Sequence, residues 1–171
     1  LQPEFSPIQP AELYTNFTKD CIENLARASI DRRLIAYTPS DAETTLRELN
    51  SSLAFFEYYP QGPGNLGLRL ERVFNFVFSK GGEQVVVLGT DAPTLPTDYI
   101  NSAFELLGSN DVVLGPAMDG GYYLIGSRID VNDLFRDISS IWVVVLFQSL
   151  ERLRVSHEKV VDRCNRLPTA G

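Results

Sequence analysis

The stretch VVVLGTDAPTLPTDYINSAFELLGSNDVVLGPAMDGGYYLIG, residues 85–126, decides the fold of this 171-residue chain. It opens with the unbroken apolar run Val85 to Leu88, which is typical of a strand covered on both faces in a parallel sheet. The run stops at Gly89, Thr90 and Asp91, so a carboxylate directly follows the strand. Ligands of open α/β sheets bind at the carboxyl ends of strands, where loops converge on a crevice. The stretch therefore predicts a binding site at this strand end.

A helix and two further strands follow within the same stretch. The predicted helix begins at Thr97 and ends before Gly108. Strands are predicted from Asp111 to Leu114 and from Tyr122 to Ile125, on either side of Asp119-Gly120-Gly121. A second carboxylate thus follows a second strand. The apolar face of the helix consists of Ile100, Ala103, Phe104 and Leu107.

Composition excludes several classes of protein. Hydrophobic residues make up 44% of the chain, as in an ordinary globular domain. No stretch approaches the roughly 20 apolar residues that cross a membrane, and no signal pattern is visible, so a cytoplasmic location is expected. The net charge of -7 argues against a nucleic-acid surface, which needs clustered Lys and Arg. Cys21 and Cys164 lie too far apart in sequence to indicate a disulfide framework or a metal site.

The amino-terminal half continues the alternation of helices and strands. A helix is predicted from Pro10 to Ala28 and strands from Arg33 to Tyr37 and from Leu53 to Tyr58. Ser40 and Glu43 have the spacing of a capping box before a second helix. This alternation predicts an α/β fold, a three-layer α/β/α sandwich with a mostly parallel sheet. The first helix has an apolar face of Leu13, Phe17, Cys21, Leu25 and Ala28.

A glycine-rich stretch, QGPGNLGLRL at residues 61–70, leads into another amphipathic helix. Glycines before a helix permit tight turns and a close approach of the backbone to a ligand. The alternative is a plain connection between a strand and a helix. No Gly-Lys-Ser/Thr sequence follows, which excludes an ordinary P-loop. The apolar face of the predicted helix is Leu66, Leu70, Val73, Phe74 and Val77.

Each of the two strand-end carboxylates has two interpretations. Asp91 is either a ligand of a divalent cation, since a carboxylate at a buried strand end must be solvated or paired, or a turn residue. Asp119, followed by two glycines, either accepts hydrogen bonds from an acceptor hydroxyl or forms a tight hairpin turn. His157 is the only histidine, which disfavours a catalytic triad.

The pair of segments GTDAPTL, residues 89–95, and GPAMDGGYYLIG, residues 115–126, resembles the DUF2064 family of the nucleotide-diphospho-sugar transferase (GT-A) superfamily. The resemblance implies a GT-A-like fold and a metal-dependent transferase of glycosyl or nucleotidyl type. The implied donor is a nucleotide sugar or a nucleoside triphosphate, the acceptor is a small molecule, and the implied cofactor is Mg²⁺ or Mn²⁺. Nothing in the sequence predicts the oligomeric state.

The resemblance also assigns roles to individual residues. Residues 61–70 are similar to the family segment Q-x-x-G-D-L-G-x-R-L, at the place where related nucleotidyltransferases contact the nucleotide base. Asn65 stands where the family usually has Asp. Asp91 corresponds to the acidic metal ligand of the superfamily, and Asp119, Gly120 and Gly121 to an acceptor contact. The implied nucleotide contacts are Gln61, Gly64, Asn65, Gly67, Arg69 and Thr90.

The chain departs from the family pattern at both ends. Leu1 and Pro3 resemble the last residues of a basic phosphate loop that follows the family's first strand. A distal Asp-Val-Asp does not appear after the shortened segment at Trp142. We therefore expect residues 1–171 to form one GT-A-like domain that lacks the first strand, the phosphate loop and the extreme carboxyl-terminal part. The alternative is a non-catalytic nucleotide-binding or scaffold domain that retains the fold.

Overall fold

A computed structural model describes residues 8–50, 55–90, 92–117, 121–131, 135 and 165–166, and it confirms the α/β class. Helices and strands alternate through most of this range. Their order is α1 (Ile8–Arg27), β1 (Leu34–Tyr37), α2 (Glu43–Leu49), β2 (Glu57–Pro60), α3 (Leu66–Ser79), β3 (Val85–Leu88), α4 (Thr97–Leu107), β4 (Val112–Pro116), β5 (Tyr122–Ser127) and β6 (Asn165–Arg166).

The strands form two sheets, and the prediction of a mostly parallel sheet holds except at β5. β1 and β2 pair in parallel, and the second sheet has the order β3-β5-β4-β6. β5 runs antiparallel to both of its neighbours, whereas β6 is parallel to β4. The reason lies in the connection between β4 and β5, residues 117–121, because a parallel pair needs a crossover of about a dozen residues or more. A short connection permits only a hairpin.

Helices cover both faces of the four-stranded sheet, which confirms the predicted three layers. Leu70 and Phe74 of α3 pack in one apolar cluster with Val112 and Leu114 of β4. Val113, which points to the opposite face, packs with residues of α4 in a second cluster. Successive residues of β4 therefore face different layers, as the pleat of a strand requires.

Strand β5 contains a bulge at two neighbouring tyrosines, whose side chains lie on opposite faces of the sheet as the pleat of a strand requires. Gly115 pairs with Leu124 and Pro116 pairs with Tyr122, so Tyr123 is an extra residue in this ladder. Tyr122 belongs to the cluster under α3, and Tyr123 belongs to the cluster under α4. Both side chains are buried.

Helix α1 buries only part of its predicted apolar face. Ala28 is buried and Leu25 packs against the apolar cluster under α4, whereas Leu13 is 53% exposed. Ile22, which lies outside the predicted face, is also buried. The side-chain amide of Asn24 donates hydrogen bonds to the carbonyl oxygens of Pro93 (3.0 Å) and Leu95 (3.3 Å), in the connection between β3 and α4. Carbonyl groups of a loop need donors, so a polar side chain of α1 faces this connection.

The predicted capping box before α2 does not form. Ala42 occupies the N-cap position, and the Glu43 carboxylate binds the Tyr37 hydroxyl at 2.7 Å and Arg47 at 2.7 Å. These hydrogen bonds, from Tyr37 first and then from Arg47, lower the pKa of Glu43. Arg47 also lies over the Tyr58 ring, 4.0 Å from its centroid. Glu43 thus ties α2 to the end of β1.

Candidate functional site

Residues 61–65, hereafter the glycine loop, leave the carboxyl end of β2 and lead into α3. The Gln61 amide nitrogen donates to the Tyr37 carbonyl oxygen at 2.9 Å, which continues the β1–β2 ladder by one residue. Gly62 and Gly64 then take positive φ values of 73° and 124°, which residues other than glycine rarely adopt. None of the hydrogen bonds in the described ranges uses the Gln61 side-chain amide. This predicted nucleotide contact is therefore available to a ligand.

Asn65 begins α3 as its N-cap. Its side-chain oxygen accepts a hydrogen bond from the Leu68 amide at 2.9 Å, and its backbone carbonyl accepts one from Arg69 at 3.1 Å. Asp and Asn are both favourable in this position, because each offers a side-chain oxygen to the free amides of a first helical turn. The replacement of the family's Asp by Asn therefore preserves the cap. Nucleotide contact by Asn65 stays a prediction.

Removal of this cap has a measurable cost. We expect Asn65→Ala to lower the free energy of unfolding by about 1 kcal/mol, since the Leu68 amide loses its acceptor. Asn65→Asp should be at least as stable as the native protein, because its negative charge lies at the positive end of the α3 dipole. Urea unfolding of the three proteins compares these values. Equal midpoints for the alanine variant and the native protein would contradict the capping role.

Two further predicted contacts lie in the first turn of α3. A Cβ atom at Gly67 would lie 2.7 Å from the Phe135 carbonyl oxygen, so close packing of backbones explains this glycine. Arg69 is different, because its Nε atom is buried and has no hydrogen-bond partner in the described structure. Buried donors are normally satisfied, so this atom marks a place where a bound acceptor would be favourable.

Thr90 lies at the end of β3, where α1 contacts the chain. Its hydroxyl is 3.4 Å from the Tyr14 hydroxyl, and its carbonyl oxygen accepts a weak hydrogen bond from the Cys21 thiol at 3.8 Å. Together with the contacts of Asn24, these interactions fix both ends of the segment that contains Asp91. No hydrogen bond in the described ranges joins Thr90 to the glycine loop.

The predicted metal site lies outside the described residues, since Asp91 is among those left out. Within the described ranges, no group of three or more His, Cys, Asp or Glu side chains could hold a metal ion. Binding of Mg²⁺ or Mn²⁺ at Asp91 stays a prediction. Hydrogen bonds with side chains of α1 thus hold the chain on both sides of Asp91.

The predicted acceptor segment lies in the connection between β4 and β5. The Ala117 amide donates to the Gly121 carbonyl oxygen at 3.0 Å, and the two strands pair antiparallel on either side. Asp119 and Gly120 lie outside the described residues, whereas Gly121 is buried. The strands thus form a hairpin, while the tight turn at Asp119 and acceptor binding stay predictions.

Tyr122, the first residue of β5, carries a buried hydroxyl without a hydrogen-bond partner in the described structure. Burial raises the pKa of Tyr122 to about 12. We expect Tyr122→Phe to raise the free energy of unfolding at pH 7 by about 1 kcal/mol, because an unsatisfied polar group leaves the core. A loss of stability would show that the hydroxyl has a partner, such as an ordered water.

The same variant has a defined effect at alkaline pH. The pKa of Tyr122 rises from 10.0 to about 12 on folding, so between these values the unfolded chain loses its phenolic proton first. Stability therefore falls as the pH rises through this window. Tyr122→Phe should show a shallower fall than the native protein, measured by urea unfolding at pH 9 to 12. If the free energy of unfolding fell equally with pH in the two proteins, the raised pKa of Tyr122 would be contradicted.

Sequence reasoning missed two side chains that shape these loops. Arg72 of α3 contacts the glycine loop, and Asn24 of α1 contacts the segment after β3. A signal existed for Arg72, which lies seven residues after Asn65 and hence two helical turns along the same side. No signal identified Asn24, because its partners lie 69 and 71 residues away.

These features define an α/β domain whose glycine loop and whose segment around Thr90 follow the carboxyl ends of β2 and β3. The fold is that of the nucleotide-diphospho-sugar transferases, and it is GT-A-like. It is similar to a crystal structure from Desulfovibrio desulfuricans G20, provisionally described as a nucleotide-diphospho-sugar transferase. The TM-score is 0.79 at 31% sequence identity, over 93% of this chain and 68% of the other.

The chain belongs to the DUF2064 family, described as uncharacterised proteins conserved in bacteria, whose model matches residues 21–140. This match includes both of the segments that carried the resemblance. No curated protein matches the chain. None of the helices in the described ranges is long and apolar enough to cross a membrane.

Proposed function

We propose that this protein is a transferase that takes a nucleotide-activated donor, either a nucleotide sugar or a nucleoside triphosphate, and a small-molecule acceptor. The observation that carries the proposal is the glycine loop. Two glycines with positive φ bring its backbone to the surface at a strand end, and the Gln61 side chain is free of hydrogen bonds to described residues. An amide side chain of this kind offers both a donor and an acceptor to a nucleotide base.

The start of α3 adds a positive field to this loop. Its first turn contains no acidic residue, and the Arg69 Nε atom is buried without a partner in the described ranges. Amides at a helix N-terminus and a guanidinium group favour an anionic ligand such as a diphosphate. The similarity to a protein provisionally described as a nucleotide-diphospho-sugar transferase supports the same class of donor.

We assign the remaining predicted residues to the other parts of the reaction. In this proposal Asp91 binds Mg²⁺ or Mn²⁺, which would neutralise negative charge on the diphosphate when bound. Thr90 contacts the nucleotide, and the turn of Asp119, Gly120 and Gly121 contacts the acceptor. Catalysis would then come from the positioning of donor and acceptor and from electrostatic stabilisation. We assign no residue as a general base.

A thermal-shift panel tests this function. Nucleoside triphosphates and nucleotide sugars would each be added with and without Mg²⁺ or Mn²⁺ to the native protein and to Asp91→Asn. A ligand at about 100 times its Kd should stabilise the native protein by roughly 2.7 kcal/mol. We expect one nucleotide class to raise the Tm only with the metal, and this rise to disappear in Asp91→Asn.

Asp98→Asn is the matched control, since Asp98 is an exposed carboxylate in the first turn of α4. It should keep the full metal-dependent rise. If no member of the panel raises the Tm of the native protein, the transferase is contradicted and a non-catalytic scaffold domain becomes the better description. A rise that persists in Asp91→Asn would support nucleotide binding and reject Asp91 as the metal ligand.

A further inference from the structure

Arg72 lies two turns into α3 and reaches back to the glycine loop. Its Nη1 atom donates to the Gln61 carbonyl oxygen at 3.1 Å and also to the Pro63 carbonyl oxygen. The Arg72 side chain is half-buried. One guanidinium group thus satisfies two carbonyls of the loop, on either side of Gly62, and such charge-assisted hydrogen bonds are stronger than neutral ones.

The two glycines fit around this guanidinium. A Cβ atom at Gly62 would lie 3.2 Å from Arg72 Nη1, which is tighter than an ordinary van der Waals contact. At Gly64 the corresponding distance is 3.7 Å. The positive φ values and the absence of side chains therefore allow the backbone to curl around the end of Arg72. The arginine and the glycines form one structural unit.

Without this contact the loop would have few restraints. Its described hydrogen bonds to the rest of the protein are those of Arg72, the ladder bond of Gln61 and the cap of Asn65. Positive-φ glycines gain much conformational freedom when they are released. A mobile loop would have to become ordered each time that a ligand binds, which lowers affinity.

We propose that Arg72 is a positioning residue that sets the conformation of the glycine loop and thereby its affinity for a nucleotide. It turns the Gln61 and Pro63 carbonyls towards α3, and it leaves the Gln61 side chain at the strand end for the ligand. The effect on affinity rests on the proposed function. The effect of Arg72 on the conformation of the loop does not depend on that function. The two effects can therefore be tested by separate experiments.

Hydrogen–deuterium exchange of the ligand-free protein tests the hold on the loop. Arg72→Met keeps most of the side-chain stem and removes the donors, so the Gln61 amide, which donates to the Tyr37 carbonyl oxygen, should exchange about tenfold faster. Peptides from β3 and α4 should be unchanged. The control is Arg27→Met, which removes an exposed arginine paired with Glu23 on α1. Unchanged exchange of the Gln61 amide in Arg72→Met would overturn the inference.

Calorimetry tests the effect on affinity, with ATP, GTP, CTP, UTP and UDP-glucose as probes, each with Mg²⁺. For a probe that binds the native protein, Arg72→Met should raise the Kd at least tenfold, Arg72→Lys should raise it less, and Arg27→Met should leave it unchanged. An unchanged Kd in Arg72→Met would overturn the inference. If no probe binds the native protein, the proposed function and the effect on affinity fail, while faster exchange would still support the hold on the loop.

Gly62→Ala provides a second route if Arg72→Met does not fold. Its methyl group would lie 3.2 Å from Arg72 Nη1, at a φ of 73° that alanine rarely adopts. We expect the same faster exchange of the Gln61 amide and the same rise in Kd as for Arg72→Met. Native values in a folded Gly62→Ala would count against the inference.

Discussion

Replacement of Phe74 by alanine is expected to lower the free energy of unfolding by about 3–5 kcal/mol. Phe74 is fully buried, and its ring centroid lies 6.2 Å from that of Phe78 and 5.8 Å from that of Phe135. Its removal would leave a cavity between α3 and the sheet that the backbone cannot fill by a small shift. Because a domain of this kind is stable by only about 5–15 kcal/mol, much of its stability would be lost.

Urea unfolding at pH 7 measures this effect, with Phe55→Ala as the matched control. Phe55 is 81% exposed, so its removal should change the free energy of unfolding by no more than about 0.5 kcal/mol. The loss at Phe74 also bears on the site, because α3 carries the glycine loop and both arginines beside it. A loss of less than about 1 kcal/mol in Phe74→Ala would contradict the close packing of α3 on the sheet.

Substitution of Gly115 by alanine is expected to lower the free energy of unfolding by about 3 kcal/mol, near the upper end of the usual range for overpacked cores. The new Cβ atom would lie 2.6 Å from Cε2 and Cζ of Tyr123 and 3.0 Å from the Cβ of Leu124. The Tyr123 ring is buried and packs beside Tyr99, with ring centroids 6.2 Å apart, so it has little room to move. The bulge in β5 therefore requires glycine at this position of β4.

A double-mutant cycle isolates this clash. In the background of Tyr123→Leu, which removes the ring, Gly115→Ala should cost much less than it does in the native protein. Gly126→Ala is the control, because its Cβ would lie 3.1 Å from Leu107 Cδ1, 3.2 Å from Val86 Cγ2 and 3.5 Å from the Val85 carbonyl oxygen, all longer than the contacts at Gly115 with Tyr123. We expect Gly126→Ala to lower the free energy of unfolding by about 1 kcal/mol or less. Equal costs of Gly115→Ala in both backgrounds would exclude Tyr123 as the cause.

Both substitutions act on parts of the fold that position the candidate site. Phe74 anchors the helix that follows the glycine loop, and Gly115 lies in β4 just before its connection to β5. Variants at these positions should therefore also weaken ligand binding, by disturbing geometry rather than by removing a contact. Asp91→Asn is expected to act on metal binding. Comparison with this variant separates a loss of site geometry from a loss of a direct contact.

Several elements follow from the sequence because their signals are local. The run of residues 85–88 forms β3, and the periodicity of α3 and α4 matches the buried faces found. Caps, glycines and apolar spacing act over a few residues, so they are visible before any tertiary contact is known. The segments of the family resemblance are local in the same sense. The roles of Asp91 and Asp119 in binding remain predictions.

The sequence by itself thus determined the α/β class, the family, most element boundaries and the position of the glycine loop. Tertiary structure decided the direction of β5, the buried face of α1 and the contact of Arg72 with the loop. Each of these depends on groups that meet only after the chain has folded, as Asn24 and Pro93 do across 69 residues. The direction of β5 follows from the length of its connection, and the face of α1 follows from carbonyl groups that need donors.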